Sequence, residues 1–454
     1  MFTNKCLIIV LFIITLYLPA GEKPYNVLFI AVDDLNDWVG CYGGHPDAKT
    51  PNIDRLAAGG VKFTNAQCPS PACKPSRSAL MTGLFPWNTG IYGNYEDEYL
   101  KYQDLKNTLI IPQYFAQNGY HTMGVGKLLH SGTKPEHWNE TGKYRYFVNP
   151  VPSKTVKGEP RSVEDFINIS LPLSVDTSEM TDWKMADWAA KKLKEKHDKP
   201  FFLACGLYRP HYPRHAPLKH YKKFPLDQIT LPKVTLDDLK DINARAGKTA
   251  RTIIESEAIY RKVVQAYLAN ISFADDCVGH LLNALETSEY KDNTVVILWS
   301  DHGMHVGEKY HFSKFTLWEE SARVVLICKG PGILKGVEST VPVNLVDMYP
   351  TLIDWCKLPV KKDLDGESFY PQLLNPKALR AKPSITAGYN GFTVRTDRWR
   401  YIAYNNGNEE LYDHSGDENE WTNLAGKAEY ENIKNKLKTF LPVNPAKPRS
   451  GKKK

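Results

Sequence analysis

The feature of this sequence that most constrains its fold is a set of apolar runs that each end in charged or ionisable residues. The runs are continuous and rich in β-branched residues, which is typical of strands buried on both faces of a parallel sheet. Four such runs, each with the residues that follow it, are Asn26–Val32 with Asp33-Asp34, His121–Gly126 with Lys127, Pro200–Leu207 with His211, and Thr294–Ser300 with Asp301-His302.

Segments with helical periodicity separate these runs. They are Pro51–Gly60, Leu109–Asn118, Ser178–His197, Ala250–Leu285 and Leu345–Cys356. Strands that alternate with helices predict an α/β fold, with a large, mainly parallel sheet between helices. Ligands of such sheets bind at the carboxyl ends of the strands. We therefore expect the charged residues that follow the four runs to converge on one rim and form a site.

The pattern of apolar and turn-forming residues changes from about Ser384. Short apolar runs at Phe392–Arg395, Trp399–Tyr404 and Glu410–Tyr412, with a turn at Asn405-Asn406-Gly407, predict a small antiparallel sheet. We therefore divide the chain into a leader (1–20), a catalytic α/β domain (21–360), a C-terminal α+β subdomain (361–440) and a basic tail (441–454).

The leader has the pattern of a secretory signal. Lys5 precedes an apolar run from Cys6 to Ile14, and small residues surround Ala20. No later segment holds 18 consecutive apolar residues, so we expect no stable membrane anchor. These observations predict a secreted or periplasmic protein, and the short length, basic tail and simple leader favour a bacterial source.

The net charge of +7 comes from 58 Lys and Arg against 51 Asp and Glu, and five of the positive residues lie in the last eight positions. The remaining body is close to neutral. A nucleic-acid-binding protein would carry its positive charge on a structured face, so we expect no nucleic-acid partner. We interpret the tail as solvated and disordered.

Seven cysteines follow the leader, and an odd number leaves at least one unpaired. Cys205 and Cys328 lie inside apolar runs and are expected to be buried thiols. Cys73 stands instead at the start of a predicted helix, where a thiol can serve as a nucleophile or can simply be structural. Its surroundings favour the first interpretation.

Cys73-Lys74-Pro75-Ser76-Arg77, followed by Thr82-Gly83, resembles the signature of type I sulfatases. In that family the cysteine is oxidised after translation to formylglycine. The resemblance covers roughly residues 24–440, and within the family it is closest to the iduronate-2-sulfatase-like members. Further segments that carry it are Asp33-Asp34, Gly40–Gly43, Pro51–Leu56, Gly124–Lys127 with His130, Arg209–Pro213, Ser300–Gly303 and Glu410–Asp413.

The resemblance implies an alkaline-phosphatase-like core and a set of site residues. It implies metal ligation by Asp33, Asp34, Cys73, Asp301 and His302. In the reaction, Arg77 would hold the formylglycine hydrate, and Lys127 would bind the sulfate and the nucleophile. His130 would take a proton during sulfate release, and His211 would protonate the leaving alcohol. Lys314 would contact the sulfate or the leaving oxygen, and Lys309 is the competing candidate for that role.

The chemistry of sulfate esters agrees with this set. The ester is an anion, and more charge develops on the leaving oxygen as the S–O bond breaks, so a cation and fixed positive donors are needed. The three aspartates offer oxygen ligands of the kind that Ca²⁺ and Mg²⁺ prefer, whereas His302 is a less natural ligand for Ca²⁺. The resemblance implies Ca²⁺, with Mg²⁺ as the alternative.

Four residues beside His211 are candidates for binding the rest of the substrate. They are Tyr208, Arg209, Arg214 and His215. An arginine can bind a carboxylate or a second sulfate with two parallel hydrogen bonds. The competing interpretation is that these side chains are solvated on the surface.

We interpret the chain as an exported sulfatase that acts on a sulfated carbohydrate, either a glycosaminoglycan or an algal-type glycan. Its expected partners are this substrate and a formylglycine-generating or anaerobic maturation enzyme. Two alternatives stay open: a phosphonate or phosphate ester hydrolase of the same superfamily, and a catalytically silent sulfated-glycan-binding protein. The sequence leaves open the sugar, the sulfate position, exo or endo action, the oligomeric state and the disulfide pairing.

Overall fold

The structure is a computed structural model that describes residues 23–95, 99–144, 160–168, 170–235, 237–242 and 244–449. The predicted leader, Met1–Ala20, lies outside the described residues. Among the described residues, no helix combines the length and the apolar character needed to cross a lipid bilayer.

The longer strands lie in the centre of the main sheet and in the C-terminal sheet. In chain order they are β1 (Asn26–Val32), β2 (Val61–Phe63), β3 (Ala66–Gln67), β4 (His121–Gly126), β5 (Glu140–Thr141), β6 (Pro172–Leu173), β7 (Phe201–Leu207), β8 (Ala216–Pro217), β9 (Thr294–Ser300), β10 (Leu326–Lys329), β11 (Val337–Ser339), β12 (Val343–Asn344), β13 (Ser384–Gly388), β14 (Gly391–Arg395), β15 (Trp399–Tyr404) and β16 (Glu409–Asp413).

The helices include one long element, α9, and several of one or two turns. In chain order they are α1 (Pro51–Ala58), α2 (Cys73–Thr82), α3 (Pro86–Thr89), α4 (Ile111–Gln117), α5 (Val163–Asn168), α6 (Thr181–Lys192), α7 (Leu218–Tyr221), α8 (Lys248–Glu255), α9 (Glu257–Glu286), α10 (Glu319–Ala322), α11 (Met348–Trp355), α12 (Tyr370–Leu374) and α13 (Glu431–Lys438).

The main sheet has eight strands in the order β11-β2-β10-β9-β1-β7-β4-β5. The central strands β9, β1, β7 and β4 are parallel neighbours, and β10 is antiparallel to both β9 and β2. This is the mixed, mainly parallel sheet that the sequence predicts. Because the four central strands are parallel, their carboxyl ends lie at one edge.

Alternate residues of β1 supply two cores on opposite faces of the sheet. Leu28, Ile30 and Val32 join one core, which also contains residues of α6 and α9. The intervening residues of β1 join the other, which contains residues of α2, α4 and α11. All seven residues of β1 are buried, which explains why its sequence is apolar without alternation. The fold is therefore a sheet between two helical layers.

The C-terminal subdomain is an antiparallel sheet in the order β13-β14-β15-β16, with its own small core that includes Leu437 of α13. The antiparallel sheet is confirmed. Phe369 and Leu373, which follow the predicted boundary at 361, pack in a core of the main sheet. A helix that lies against the first domain is difficult to assign from sequence, because its apolar residues fit either core.

The described part of the tail is ordered against the catalytic domain, contrary to our expectation. The backbone N–H of Ala446 donates to the carbonyl of Trp87 at 2.7 Å, and that of Arg449 donates to Gly90 at 2.9 Å. The Arg449 guanidinium also lies 4.3 Å from the ring centre of Tyr102. These contacts join positions far apart in the sequence, so composition alone predicted disorder.

The seven described cysteines all carry free thiols. Cys205 and Cys328 are fully buried, as the sequence predicts, and burial raises the pKa of both thiols well above the ordinary range. Cys68, Cys73, Cys277 and Cys356 are also buried, whereas Cys41 is partly exposed.

Candidate active site

The four central strands deliver their charged residues to one edge of the sheet. Asp33-Asp34 follow β1, Lys127 follows β4, the loop with His211 follows β7, and Asp301-His302 follow β9. The backbone N–H of Asp34 donates to the carboxylate of Asp301 at 3.2 Å, which ties the ends of β1 and β9 together. The structure thus brings these residues together at one rim.

Cys73 enters this rim from helix α2, which begins at that residue. The helix is almost entirely buried, and the Ser76 hydroxyl donates to the backbone carbonyl of Asp301, which fixes the first turn of α2 against β9. Because its first turn carries unpaired N–H groups, the start of a helix favours negative charge. The side chain of Cys73 is only 1% exposed.

Three positively charged or ionisable groups surround the Cys73 sulfur atom. The ammonium groups of Lys127 and Lys314 lie 3.6 and 3.5 Å from Sγ, and Nε2 of His302 lies 3.2 Å from it. Burial alone would raise the pKa of this thiol, but the charges of Lys127, Lys314 and His302 outweigh burial, and the pKa lies well below its ordinary value. Position 73 is therefore built to hold negative charge.

Arg77, one turn further along α2, binds two of the carboxylates. Its Nε donates to Asp301 at 2.7 Å, its Nη2 donates to Asp33 at 3.1 Å, and its Nη1 donates to the carbonyl of Lys127. All three side chains are fully buried. Burial would lower the pKa of Arg77, but the two carboxylates raise it, so the guanidinium stays charged. Arg77 fixes the carboxylates relative to Cys73.

The donor set fits a hard divalent cation. Ligand atoms of Asp33, Cys73, Asp301 and His302 lie within 4.8 Å of one another, and a second group of Asp33, Asp34, Cys73 and His211 overlaps it. The Oδ2 atom of Asp34 is buried and accepts no hydrogen bond from any described residue. Such an atom is costly unless a cation compensates it.

His302 is oriented as a ligand by its backbone contact. Its Nδ1 lies 2.8 Å from the carbonyl of Gly303, which can only accept, so Nδ1 carries the proton. Nε2 then faces Asp34 and Asp301, at 3.4 and 3.6 Å. This is the arrangement of a histidine that ligates metal through Nε2.

The carboxylates respond differently to burial. Burial raises the pKa of Asp301 to about 7 although Arg77 opposes it, and the negative charge of Asp33 adds to the rise. The pKa of Asp33 falls below its ordinary value because Lys127 outweighs burial. Burial would lower the pKa of His302, but the charges of Asp301 and Cys73 raise it to about 9. Such closely packed acids are typical of a site that holds positive charge.

His211 lies beside the carboxylates and is only partly buried. Its Nδ1 contacts the carbonyl of Tyr212, so Nδ1 carries a proton and Nε2 is the atom that can exchange one. Burial would lower the pKa of His211, but the charge of Asp34 raises it. His130 is also partly exposed, and its contact with Cys73 helps to lower the pKa of that thiol.

The structure separates the two lysine candidates. Lys314 is 1% exposed and donates to Asp34 at 2.7 Å, within the cluster around Cys73. Lys309 donates to Asp238 at 2.7 Å and to the carbonyl of Glu420. Lys309 therefore lies in a different part of the fold, whereas Lys314 lies in the cluster around Cys73.

The four residues proposed to bind the rest of the substrate are all buried, at 1–3% exposure: Tyr208, Arg209, Arg214 and His215. They are therefore not solvated on the surface. Arg209 donates to the carbonyl of His215 at 3.1 Å, and the Arg214 guanidinium lies 4.1 and 4.5 Å from the ring centres of Tyr212 and Tyr267. Burial lowers the pKa of His215 to about 4. These contacts support the loop that carries His211.

Two further residues, Tyr267 and Ser300, support the site although the sequence assigns them no role in it. The Tyr267 hydroxyl, in the middle of α9, donates to the carbonyl of Asp34 at 2.7 Å and accepts the N–H of Asn36 at 3.0 Å. The Ser300 hydroxyl accepts the N–H of Leu35 at 3.1 Å and donates to the carbonyl of His302 at 2.8 Å. Asp34 has a left-handed backbone, with φ of 59°, and these bonds hold it there. A tyrosine within a long helix gives no sequence signal of this role.

Comparison with protein families and known sequences agrees with this geometry. Residues 25–358 match the family described as Sulfatase, and residues 307–445 match the family described as N-sulphoglucosamine sulphohydrolase, C-terminal. A protein named Sulfatase from Formosa agariphila is 39% identical over 446 residues, covering 93% of this chain and 87% of the relative. Iduronate 2-sulfatase of Mus musculus is 32% identical over 403 residues, covering 77% of this chain and 71% of the relative.

Solved structures share the fold. A protein in complex with its substrate D-glucosamine-2-N,6-O-disulfate superposes with a TM-score of 0.72 at 23% identity, covering 92% of this chain and 96% of that chain. The phosphonate monoester hydrolase of Agrobacterium radiobacter superposes with a TM-score of 0.75 at 19% identity, covering 91% and 94%. At these identities the similarity confirms the expected alkaline-phosphatase-like fold, and it does not distinguish the reaction.

Proposed function

The chain belongs to the sulfatase family, and we propose that it hydrolyses sulfate esters of a sulfated carbohydrate, either a glycosaminoglycan or an algal-type glycan. The observation that carries this proposal is the surroundings of Cys73. Two ammonium groups lie within 3.6 Å of its sulfur atom, and three buried aspartates lie beside them. An anion at this position would be held by fixed positive charge on several sides.

We propose that Cys73 is converted to formylglycine and that Asp33, Asp34, Asp301 and His302 hold a divalent cation, Ca²⁺ or Mg²⁺. The hydrated aldehyde would supply a hydroxyl to attack sulfur and a second one to release sulfate, and the cation would supply charge for the sulfate oxygens. The maturation enzyme that makes the aldehyde is the second proposed partner.

The lysines and Arg77 hold charge in fixed positions in this proposal. Lys127 and Lys314 flank position 73, so their ammonium groups would contact the oxygens of the sulfate group. Arg77 orients Asp33 and Asp301 and closes the site on the side of α2. Because these groups are already in place, little reorganisation is needed as charge develops.

The two histidines would move protons. With Nδ1 of His211 bound to the carbonyl of Tyr212, its Nε2 would be the atom that protonates the leaving alcohol oxygen. His130 would take the proton when sulfate leaves. Both side chains are partly exposed, whereas Cys73 beneath them is buried, so they occupy the side from which a substrate would approach.

The carbohydrate class rests on the relatives. Iduronate 2-sulfatase and the structure that binds glucosamine disulfate are named for sulfated sugars. The apolar leader pattern of residues 1–20 supports export, where such polymers are found. A phosphonate monoester hydrolase shares the fold, so hydrolysis of phosphonate esters is the competing reaction to measure.

The experiment has two parts. The protein is produced in its native host, and the peptide that contains residue 73 is analysed by mass spectrometry. Conversion of the thiol to the aldehyde lowers the peptide mass by about 18 Da. The purified protein is then assayed on an aryl sulfate, a panel of defined sulfated oligosaccharides and a phosphonate monoester.

We expect the mass loss and hydrolysis of at least one sulfated oligosaccharide, and we expect Cys73→Ala to remove the activity. An unmodified thiol in all of the mature protein would contradict the formylglycine mechanism. Faster hydrolysis of the phosphonate ester than of every sulfate ester would favour the competing reaction.

A further inference from the structure

A second concave region lies between the two domains of the fold, away from Cys73. We call it the lysine groove. It is formed by the loop before β13, the start of β15 and helix α13, and encloses about 620 Å³. Ligand sites in proteins have volumes of about 300–1,000 Å³, so the lysine groove is large enough for a short oligosaccharide. Its characteristic lining residues are Lys377, Leu379, Lys382, Trp399, Lys436 and Phe440.

The charge of the lysine groove is positive and uncompensated. Lys377, Lys382 and Lys436 are exposed, and none forms an ion pair or a side-chain hydrogen bond with any described residue. Asp397 is the single acidic residue of the described lining. The three lysines come from the loop before β13 and from α13, so they face one volume from two sides.

Arg380 also lines the lysine groove, but its charge is already paired with a carboxylate of the protein. Its Nη2 lies 2.9 Å from the carboxylate of Asp347, and its Nη1 donates to the carbonyl of Glu367 at 3.0 Å. A ligand that enters the lysine groove would therefore meet the three lysines as its free cations. Their ammonium groups can move toward an anion without breaking a contact of the described fold.

The floor of the lysine groove is apolar. Trp399 and Phe440 are partly buried there, and the side chain of Leu379 is 95% exposed at its edge. Trp399 already packs against Tyr430, with ring centres 5.8 Å apart, so its ring is held in place. A rigid aromatic ring beside ammonium groups suits a ligand that has both apolar C–H faces and negative groups.

The adjoining recess is different in charge. It shares Lys382 and Phe440 with the lysine groove, but its lining includes Asp347, Asp365 and Glu367. Its lining also includes Arg380, which pairs with Asp347, so the recess offers an anionic polymer no net positive charge and the favourable region ends at the shared wall. The charge distribution thus selects one bounded stretch of a polyanion rather than a general basic face.

We propose that the lysine groove binds a stretch of sulfated polysaccharide outside the active site. The choice of ligand rests on the proposed function, because a sulfated polymer is the anionic carbohydrate that this chain would meet as its substrate. None of the six characteristic residues lies among those around Cys73, so the lysine groove is a separate site. Its occupation would hold the polymer near the enzyme between catalytic events.

The test compares two triple variants that remove the same charge. In one, Lys377, Lys382 and Lys436 are changed to serine. In the matched control, the exposed Lys196, Lys222 and Lys262, which lie outside the lysine groove, are changed to serine. Binding is measured by calorimetry in the Cys73→Ala background, with heparin, with desulfated heparin of equal length and with phosphatidylserine vesicles as probes.

We expect the groove variant to raise the Kd for heparin by about tenfold, with little change in the control and no binding of desulfated heparin. When Cys73 is retained, the groove variant is expected to hydrolyse an aryl sulfate at the normal rate. It is expected to hydrolyse a sulfated polysaccharide with a higher KM. Circular dichroism and thermal unfolding verify that both variants fold.

An equal rise in the Kd for heparin in both triple variants, or no rise in either, would overturn the proposal. Binding of vesicles in place of heparin would overturn the assigned ligand class. Failure of the unmodified enzyme to hydrolyse any sulfate ester would contradict the proposed function. It would not account for groove-dependent heparin binding, so the two failures are distinguishable.

Discussion

The ammonium group of Lys314 lies 2.7 Å from the carboxylate of Asp34, although 280 positions separate the two residues in the chain. The same ammonium group lies 3.5 Å from the sulfur atom of Cys73. One lysine therefore connects the carboxylate cluster to the proposed nucleophile, and its loss should affect the chemistry of the folded enzyme as well as its stability.

Lys314→Ala is expected to lower kcat/KM for an aryl sulfate by about 100-fold or more, because a fixed positive group near the developing charge is lost. Lys309→Ala is the matched control. It leaves the buried Asp238 without its ammonium partner, so it should lower the free energy of unfolding by about 3 kcal/mol and preserve the kcat/KM of the folded fraction. Equal losses of kcat/KM in both variants would contradict the assignment of Lys314.

Ca²⁺ should stabilise the protein against thermal unfolding. A cation that binds only the folded state at 100 times its Kd adds about 2.7 kcal/mol. The unpartnered Oδ2 of Asp34 and the carboxylate of Asp301 supply the site, so Asp301→Asn should remove the shift in Tm, whereas Asp397→Asn, at an exposed position, should retain it. Measurement with Mg²⁺ compares the two ions. If Ca²⁺ shifts the Tm of Asp301→Asn as much as it shifts that of the unmodified protein, this cation site is excluded.

His211→Ala should slow poor leaving groups more than good ones. An alcohol of a sugar needs a proton as it leaves, whereas an activated phenolate does not, and a positioned acid contributes about 100-fold or more. We therefore expect a large loss of kcat on a sulfated oligosaccharide and a small loss on a nitrophenyl sulfate. Equal slowing of both substrates would remove His211 from the role of general acid.

The C-terminal subdomain should lose stability in acid through Glu409. Partial burial would raise the pKa of this carboxyl, but Lys438, at 2.6 Å, together with Tyr401 and Lys434, lowers it to about 2. The folded pKa is below the unfolded value, so the stabilisation is present above about pH 4.5 and is lost as the pH falls toward 2.

Glu409→Gln should therefore lower the free energy of unfolding by about 1–2 kcal/mol at pH 7, and the difference from the unmodified protein should shrink by pH 3.5. Glu429→Gln, at an exposed position in the same subdomain, is the control and should change little at either pH. Urea denaturation at both pH values gives the comparison. A difference that grows in acid would contradict the argument.

Removal of residues 444–454 should destabilise the protein although the sequence of this tail suggests disorder. The truncation breaks the backbone hydrogen bonds of Ala446 and Arg449, so we expect a loss of about 1–3 kcal/mol. Arg449→Ala alone should cost less than the truncation, because it retains both backbone hydrogen bonds. Unchanged urea denaturation after truncation would show that these contacts contribute nothing.

The central strands could be predicted from sequence because their physics is local. The bounds of β1, β4 and β9 agree with the predicted runs, since a strand buried on both faces must be apolar throughout. The two-residue strands, such as β5 and β8, could not be predicted, because so short a pairing depends on neighbours that the fold supplies.

The site residues that lie within a sequence motif could be predicted. The residues that support the site through backbone hydrogen bonds or packing could not. Cys73 and Arg77 share one helical turn, and the aspartates end strands, so their spacing carries a signal. Tyr267 acts through hydrogen bonds to backbone groups, which leave no pattern in the sequence. Arg214 was a candidate for binding substrate, and its burial could not be foreseen, because composition does not reveal that two tyrosine rings enclose its guanidinium.

The burial of Cys73 determines whether its modification must come before or after folding. Its sulfur atom is covered by side chains from strand ends that are distant in sequence, so a modifying enzyme cannot reach it once the chain has folded. Under the proposed mechanism, oxidation must act on the nascent or unfolded chain. A molecule that folds first then keeps an unmodified, inactive thiol. The yield of active enzyme therefore depends on the rate of maturation relative to the rate of folding.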